Sequence, residues 1–395
     1  MVDRYITKIL TAKVYSLAKV TALEPAIRLS ERLGNEVLLK REDQQPVFSF
    51  KLRGACNKMS QLSSDERSRG VLCASAGNHA QGVALAAAKL EMQATIVMPL
   101  TTPGIKIEAV RALGGKVVLH GLTYDEASVH AKALASSTDR TLIHAFDDPD
   151  VIAGQGTIAM EIARQCDEAP DVIFVPVGGG GLIAGISVYM KYLYPDTKII
   201  GVEPVESASL HAALAAGKPV SLDRVGTFAD GVSVRQVGDE TFSLCEKYVD
   251  DVILVNTDEI CAAIKDIFLD TRAITEPAGA LAVAGLKKYV DEHQTRGSRL
   301  VAINTGANMN FDRLVHVAER ANIGEQSEAI FSVQIPEKQG AFLTFCQTLG
   351  ARAVTEFNYR MRDRADAQIF VGVALADGHD ERVALLSAFQ GAGYE

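Results

Sequence analysis

The chain has 395 residues, 48% apolar and 23% charged, values ordinary for a globular protein, and at ~100 to 200 residues per domain it has room for two or three domains. A net charge of −9 without clustered Lys and Arg argues against nucleic acid as a partner, and no apolar run reaches the ~18 residues that span a membrane. The N-terminus, with Asp3, Arg4 and Lys8, lacks a signal-peptide core, so a cytoplasmic location is expected.

Six cysteines are scattered without a Cys-x-x-Cys pair, which suggests neither a disulfide framework nor a zinc site; no metal is expected. After a short N-terminal arm, Glu36 to Arg41 reads as a strand and Gln44-Gln45-Pro46 as a turn. A helical pattern then opens at Lys51, with Leu52, Ala55, Met59 and Leu62 forming an apolar stripe. A lysine in the first turn of a helix gains nothing from the dipole, which favours anions there. A depressed pKa would suit it to forming a Schiff base. For an isolated lysine the plainer reading is a solvated surface side chain.

Short apolar runs follow at Val71 to Ala74, Ala94 to Met98, Lys116 to Leu119 and Thr141 to Ala145, each leading through a turn into a helical pattern. The alternation resumes with Val172 to Val177, Lys198 to Val202, Val252 to Val255 and Leu300 to Asn304. This predicts two mostly parallel sheets covered by helices, with ligands beyond the carboxyl ends of the strands. Ser75 to Gly82, the glycines from Gly178, and Thr305-Gly306-Ala307-Asn308 all stand at such ends, so one cleft is expected to gather them. Four glycines between a strand and a helix let backbone N–H groups converge on an anion. Ser75, Gly77 and Asn78 could gather donors around a carboxylate, although Ser and Asn also cap helices for ordinary reasons.

A competing reading comes from Gly179-x-Gly181-x-x-Ala184, which fits the dinucleotide fingerprint, with Glu203 ending the next strand 22 residues after Gly181 as a ribose-binding acid would. On spacing alone a nicotinamide-dependent oxidoreductase competes. Glu276 precedes Pro277, a residue well placed at the first turn of a helix, so an ordinary helix-start acid explains it as well as a site residue does.

From about Ile330 the pattern becomes β-α-β-β-α: strands at Ile330 to Ile335, Val354 to Arg360 and Gln368 to Ala374, helices at Ala341 to Leu349 and Glu381 to Phe389. The expected division is 1–325, with a smaller subdomain at roughly 50–150, and 326–395, the boundary falling in the polar stretch from Asn322 to Glu328.

Ser49-Phe50-Lys51-Leu52-Arg53-Gly54-Ala55, then Ser75-Ala76-Gly77-Asn78-His79-Ala80-Gln81-Gly82, then Gly178-Gly179-Gly180-Gly181-Leu182 stand in the order found in the biosynthetic threonine dehydratases, pyridoxal-phosphate enzymes of the tryptophan-synthase β fold type. The chain resembles that family over about residues 15 to 320, and more weakly to its end. The resemblance implies two parallel-sheet subdomains of pyridoxal-phosphate fold type II and an ACT-like α+β module lacking its last strand. It also implies Lys51 as the catalytic lysine that carries pyridoxal 5'-phosphate. Phe50, Asn78, Gly178, Gly179, Gly180, Gly181, Leu182, Gly231 and Thr305 would contact the cofactor, and Ser75, Ala76, Gly77, Asn78 and His79 the substrate carboxylate. Thr305 would face the pyridine nitrogen, and Glu203 would be a structural or cation-site residue.

The activity implied is elimination of L-threonine to 2-oxobutanoate and ammonia, the first step of isoleucine biosynthesis, with L-serine as a further substrate. Isoleucine or valine would be effectors of a homodimer or homotetramer. Serine racemase and β-replacement synthases share the fold and remain competitors, as does a catalytically silent amino-acid sensor. The short C-terminal pattern leads to a further expectation, an open sheet edge and weak feedback by isoleucine.

Overall fold

Runs of consecutive apolar residues produce strands buried on both faces, and the helices between them supply the cover. The computed structural model describes residues 2–361 and 366–394. In chain order the first strands are β1 (Leu23–Pro25), β2 (Glu36–Arg41), β3 (Val71–Ala74), β4 (Ala94–Met98), β5 (Lys116–Leu119) and β6 (Thr141–Leu142). They are followed by β7 (Val172–Pro176), β8 (Lys198–Pro204), β9 (Asp251–Val255) and β10 (Arg299–Asn304), then β11 (Glu328–Pro336), β12 (Val354–Met361) and β13 (Asp366–Ala374).

The strands make a six-stranded sheet in the order β1-β2-β10-β7-β8-β9 and a four-stranded sheet in the order β5-β4-β3-β6. Every pairing in these sheets is parallel except that of β1 with β2. The chain leaves the large sheet after β2, builds the small one, and re-enters at β7 in the centre. Lys51 stands just beyond that exit, opening the helix Lys51–Ser60. The stripe Leu52, Ala55, Met59 and Leu62 is buried, as its spacing predicts.

Two stretches differ from the sequence expectation. The N-terminal arm, to which the sequence reading assigns no element, holds helices at Val2–Leu10 and Ile27–Leu33 and an edge strand at Leu23–Pro25. The run Thr141 to Ala145 pairs only over Thr141–Leu142. The reason lies in His144, whose Nδ1 accepts the backbone N–H groups of Phe146 at 3.3 Å and Asp147 at 2.8 Å and so turns the chain out of the sheet.

The chain divides into two compact units, Met1–Asn256 with Asp266–Asn310, and Thr257–Lys265 with Phe311–Glu395. In the second, β11 to β13 form an antiparallel sheet in the order β11-β13-β12, and β-α-β-β-α is the order of its described elements after Glu328. Its inward residues Phe331, Ile335, Val371 and Ile369 pack with Phe345 and Phe389 of the helices Ala341–Leu349 and Gly378–Gly391. Among the described residues no helix is long and apolar enough to cross a membrane, and no cluster of His, Cys, Asp and Glu is arranged to hold a metal.

Candidate active site

Lys51 is held in place by the residue two positions on. Arg53 is fully buried, with Nε and Nη2 each 2.7 Å from the carboxylate of Glu42 and Nη1 2.6 Å from that of Glu161, on the helix Pro149–Gln165. Lys40 of β2 reaches the same Glu161 at 2.7 Å. Two cations and two carboxylates thus balance inside the protein, where an unpaired charge would be costly. They tie β2, the lysine helix and Pro149–Gln165 together.

The Lys51 side chain enters a pocket also lined by Phe50, Asn78, Gly178 to Leu182, Gly231 and Thr305. Residues far apart in sequence therefore meet at the carboxyl ends of β3, β7 and β10. The amine lies 3.3 Å from the carbonyl oxygen of Ala145. Burial pulls its pKa down to about 8, and Glu276, which lines the same pocket, pulls weakly the other way. A fraction of the amine is therefore neutral and nucleophilic near neutral pH, unlike an exposed lysine.

The four glycines are required one by one. Gly180 has a φ of 89°, the left-handed region that side chains disfavour. A Cβ on Gly179 would lie 2.2 Å from the ring of Phe146, and one on Gly181 2.8 Å from the Phe146 carbonyl oxygen. A Cβ on Gly178 would stand 3.0 Å from Val232 Cα. The loop is fixed from outside by Thr241, whose Oγ1 donates to Gly179 O at 2.8 Å. It delivers the start of the helix Gly181–Leu193, whose first N–H groups have no partner within the helix, to the pocket.

Around Asn78 the polar groups form a chain. Its Nδ2 donates to Glu276 Oε1 at 2.7 Å and its Oδ1 accepts from Asn308 Nδ2 at 2.7 Å. Asn308 Nδ2 donates to the Val47 carbonyl oxygen as well, at 2.8 Å. Glu276 precedes the helix Pro277–His293 yet makes no side-chain cap bond to it; its carboxyl turns into the pocket. Burial raises its pKa to about 7, with Asp230 pushing the same way and Asn78 opposing.

Ser75, Ala76 and Gly77 make the turn from β3 into the helix Asn78–Lys89; of the segment Ser75 to His79, Asn78 lines the pocket and the other four residues do not. Ser75 Oγ accepts the N–H of Gly77 at 3.3 Å, and a Cβ on Gly77 would meet no atom within 4 Å, leaving room beside the turn. His79 is directed elsewhere: its ring is buried with Nε2 3.0 Å from the Ile143 carbonyl oxygen, and burial lowers its pKa to about 3. Thr305 Oγ1 donates to Ala278 O at 3.3 Å at the pocket edge.

Glu203, the acid the dinucleotide reading needs, is buried and accepts the N–H groups of Leu210 at 2.8 Å and His211 at 2.9 Å. Its carboxylate serves the start of the helix Ser209–Ala216. Phe146, Pro176, Val232, Val234 and Ala278 also line the pocket and had no local signal of their own.

These features fit pyridoxal phosphate: a buried amine of lowered pKa beside a turn where a Cβ would collide and a helix start suited to a phosphate. The comparisons agree. Residues 14–306 match the model described as "Pyridoxal-phosphate dependent enzyme", which defines the class. Residues 319–394 match the "C-terminal regulatory domain of Threonine dehydratase". The biosynthetic L-threonine dehydratase IlvA of Pasteurella multocida is 56% identical over 391 residues, 99% of this chain and 76% of that protein. The solved structure of the processed form of threonine deaminase isoform 2 from Solanum lycopersicum is similar with a TM-score of 0.80 and 52% identity, over 81% of this chain and 93% of that one. A serine racemase from Dictyostelium discoideum shares the fold at 30% identity and a TM-score of 0.71, over 79% and 99% of the two chains. The chain belongs to the biosynthetic threonine dehydratases, within the pyridoxal-phosphate dependent enzymes.

Proposed function

We propose that this chain converts L-threonine to 2-oxobutanoate and ammonia, and L-serine to pyruvate and ammonia, as the first committed step toward isoleucine. The observation that carries the reading is the buried Lys51 amine, of lowered pKa, in one pocket with the glycine turn. Identity of 56% to a biosynthetic threonine dehydratase and 30% to a serine racemase favours elimination over racemisation.

Gly178 to Leu182 would hold the cofactor phosphate, Phe50 and Gly231 would pack on the two faces of its ring, Asn78 would donate to its phenolic oxygen, and Thr305 would meet its pyridine nitrogen. Bound pyridoxal phosphate supplies an electron sink for the charge left when Cα loses a proton. Lys51 Nζ would tether the cofactor and, as a free amine, would take the proton from the substrate Cα. The turn Ser75 to His79 orients the substrate carboxylate through backbone donors at the start of Asn78–Lys89. The β-hydroxyl would depart as water, its proton balancing the one that Lys51 takes from Cα, and the released enamine would tautomerise to an imine that water hydrolyses to keto acid and ammonia. A neutral hydroxyl at Thr305 would not hold a proton on the ring nitrogen as a carboxylate would.

The domain division supported by the pattern is catalytic 1–325 and regulatory 326–395, the second answering to isoleucine or valine in a cytoplasmic homo-oligomer. Its support is the match of residues 319–394 to a threonine dehydratase regulatory domain.

Keto-acid formation from threonine and from serine, with the purified holoenzyme, tests the activity. Threonine turnover exceeding serine turnover is expected; racemised serine without keto acid would overturn it. Titrating isoleucine against threonine turnover tests the regulatory part.

A further inference from the structure

Asn78 has one amide group and three possible partners. One Nδ2 hydrogen goes to Glu276 Oε1 at 2.7 Å, and Oδ1 receives the hydrogen of Asn308 Nδ2 at 2.7 Å. A side-chain amide offers two N–H donors and one carbonyl acceptor. With the acceptor and one donor committed to partners of opposite character, the amide cannot reverse without facing oxygen to oxygen and N–H to N–H. A single Nδ2–H is left for the pocket that Asn78 lines with Lys51.

We propose that Glu276 and Asn308 are a positioning pair that fixes the Asn78 amide, so that its remaining N–H is presented to an anionic ligand oxygen, and that this presentation is set by the ionisation of Glu276. The inference rests on the pyridoxal-phosphate reading, in which that oxygen is the cofactor's phenolic one. Neither residue is a catalytic residue here, because each acts through Asn78.

Glu276 is suited to the task by its surroundings. It is 4% exposed, and its carboxyl receives the backbone N–H of Asn308 as well as the Asn78 amide, so it has little freedom to turn. The charged groups facing it are Lys51 from the lysine helix, Asp230 from the 230–232 turn and Lys106 from the helix Gly104–Ala112. Lys106 and Asp230 are themselves paired at 2.6 Å, which leaves the Lys51 amine and the Asn78 amide as the neighbours that respond most to its charge. As the carboxyl ionises it becomes acceptor only, and its hold on the Asn78 N–H strengthens.

The test reads the bound cofactor's visible absorbance, not turnover. Wild-type holoenzyme is titrated between about pH 5 and 9 alongside Glu276→Gln, Asn308→Ala and Asn308→Asp, with pyridoxal phosphate content and far-ultraviolet circular dichroism recorded for each. The wild-type band should shift with a midpoint near neutrality, and Glu276→Gln should keep its cofactor but lose that midpoint. Asn308→Asp should perturb the band more than Asn308→Ala, because a carboxylate opposite Asn78 Oδ1 drives the amide to reverse whereas alanine only releases it. A purely structural role predicts the opposite order, since alanine leaves a hole and aspartate nearly fills it.

A wild-type band flat across the range, a wild-type midpoint retained in Glu276→Gln, or an alanine effect equal to or larger than the aspartate effect would overturn the proposal. If Glu276→Gln does not fold, the order of the two Asn308 variants decides. A wild-type protein that yields no pyridoxal phosphate on denaturation would instead remove the functional reading beneath it.

Discussion

Arg53 Nη1 lies 2.6 Å from Glu161 Oε1, and neither side chain is more than 2% exposed. Because Arg53 stands half a turn after Lys51 on the same helix, this contact and the paired contacts to Glu42 fix where the reactive amine points. The second cation on Glu161, Lys40, comes from β2, so the lysine helix is referenced to the large sheet next to its β1 edge.

Replacing Arg53 by methionine leaves Glu42 and Glu161 buried with one cation between them. Breaking a buried pair in this way costs about 3 to 5 kcal/mol. Arg53→Lys restores the charge but cannot fork to two carboxylates, so it should recover part of the stability and less of the cofactor binding. Urea denaturation of the three proteins, with pyridoxal phosphate content measured on each, checks the order wild type, lysine, methionine. Equal stability of all three would show the network to be dispensable.

Lys51→Ala should keep the fold, since the amine makes one hydrogen bond, 3.3 Å to the Ala145 carbonyl oxygen, beside a 5.2 Å approach to the Phe50 ring, and should lose ~10²- to 10⁴-fold in turnover from the missing base. Borohydride reduction of the wild-type holoenzyme followed by peptide mapping should place the pyridoxyl group on the Lys51 peptide. Because burial lowers this amine to about 8, the rate at which cofactor-free protein captures pyridoxal phosphate should rise as pH passes through 8 and level off above it. A label found on another lysine would refute the assignment.

What was legible in the sequence was whatever a local pattern encodes. The stripe Leu52, Ala55, Met59, Leu62 and the strand runs that precede Ser75, Gly178 and Thr305 are read from spacing alone, and those runs place their loops at one cleft by the rule for parallel sheets. What was hidden depends on partners remote in the chain. Glu276 looks like an ordinary acid before a helix; its turn into the pocket is visible only once Asn78, 198 positions away, is known to donate to it. Phe146 was hidden because its role is to fill the space that glycines leave empty. The dinucleotide fingerprint at Gly179 and Gly181 misled for a related reason: the spacing is real, but Glu203 is consumed by the Ser209–Ala216 helix start.

The contact between Phe146 and the glycine turn predicts a rescue. Gly179→Ala puts a Cβ 2.2 Å from the phenyl ring, an overlap that should cost about 1 to 3 kcal/mol and weaken cofactor retention. Phe146→Ala removes the obstacle at the cost of a cavity. If the two residues are coupled only through this overlap, the double variant should be at least as stable as Phe146→Ala alone, which a double-mutant cycle by thermal denaturation measures. Strictly additive losses would mean that Gly179 is required for its backbone conformation and not for the ring.

Glu276 and Lys51 make the stability of the cofactor-free protein depend on pH in opposite ranges. Glu276 has its pKa raised by burial from the ordinary 4.5 to about 7, so the folded state disfavours the ionised form. Its contribution to stability is therefore fully present below about 4.5 and is lost as pH rises through about 7, an upper figure of about 3.5 kcal/mol at ~1.4 kcal/mol per unit. Lys51 acts at the other end. Its pKa is lowered from 10.5 to about 8, so the folded state disfavours the ammonium, and the resulting penalty stands in full below about 8 and is relieved as pH rises toward 10.5. The two effects meet between about 7 and 8, where the cofactor-free protein bears both penalties. Free energies of unfolding should be compared between wild type and Glu276→Gln at pH 5 and pH 8, with cofactor removed. The variant, which has no carboxyl to ionise, should gain on the wild type between the two values; a difference independent of pH would mean that Glu276 does not titrate in this window. Repeating the comparison with Lys51→Ala at pH 7 and pH 10 should show the complementary trend, the variant's advantage shrinking as the wild-type amine is freed from its penalty.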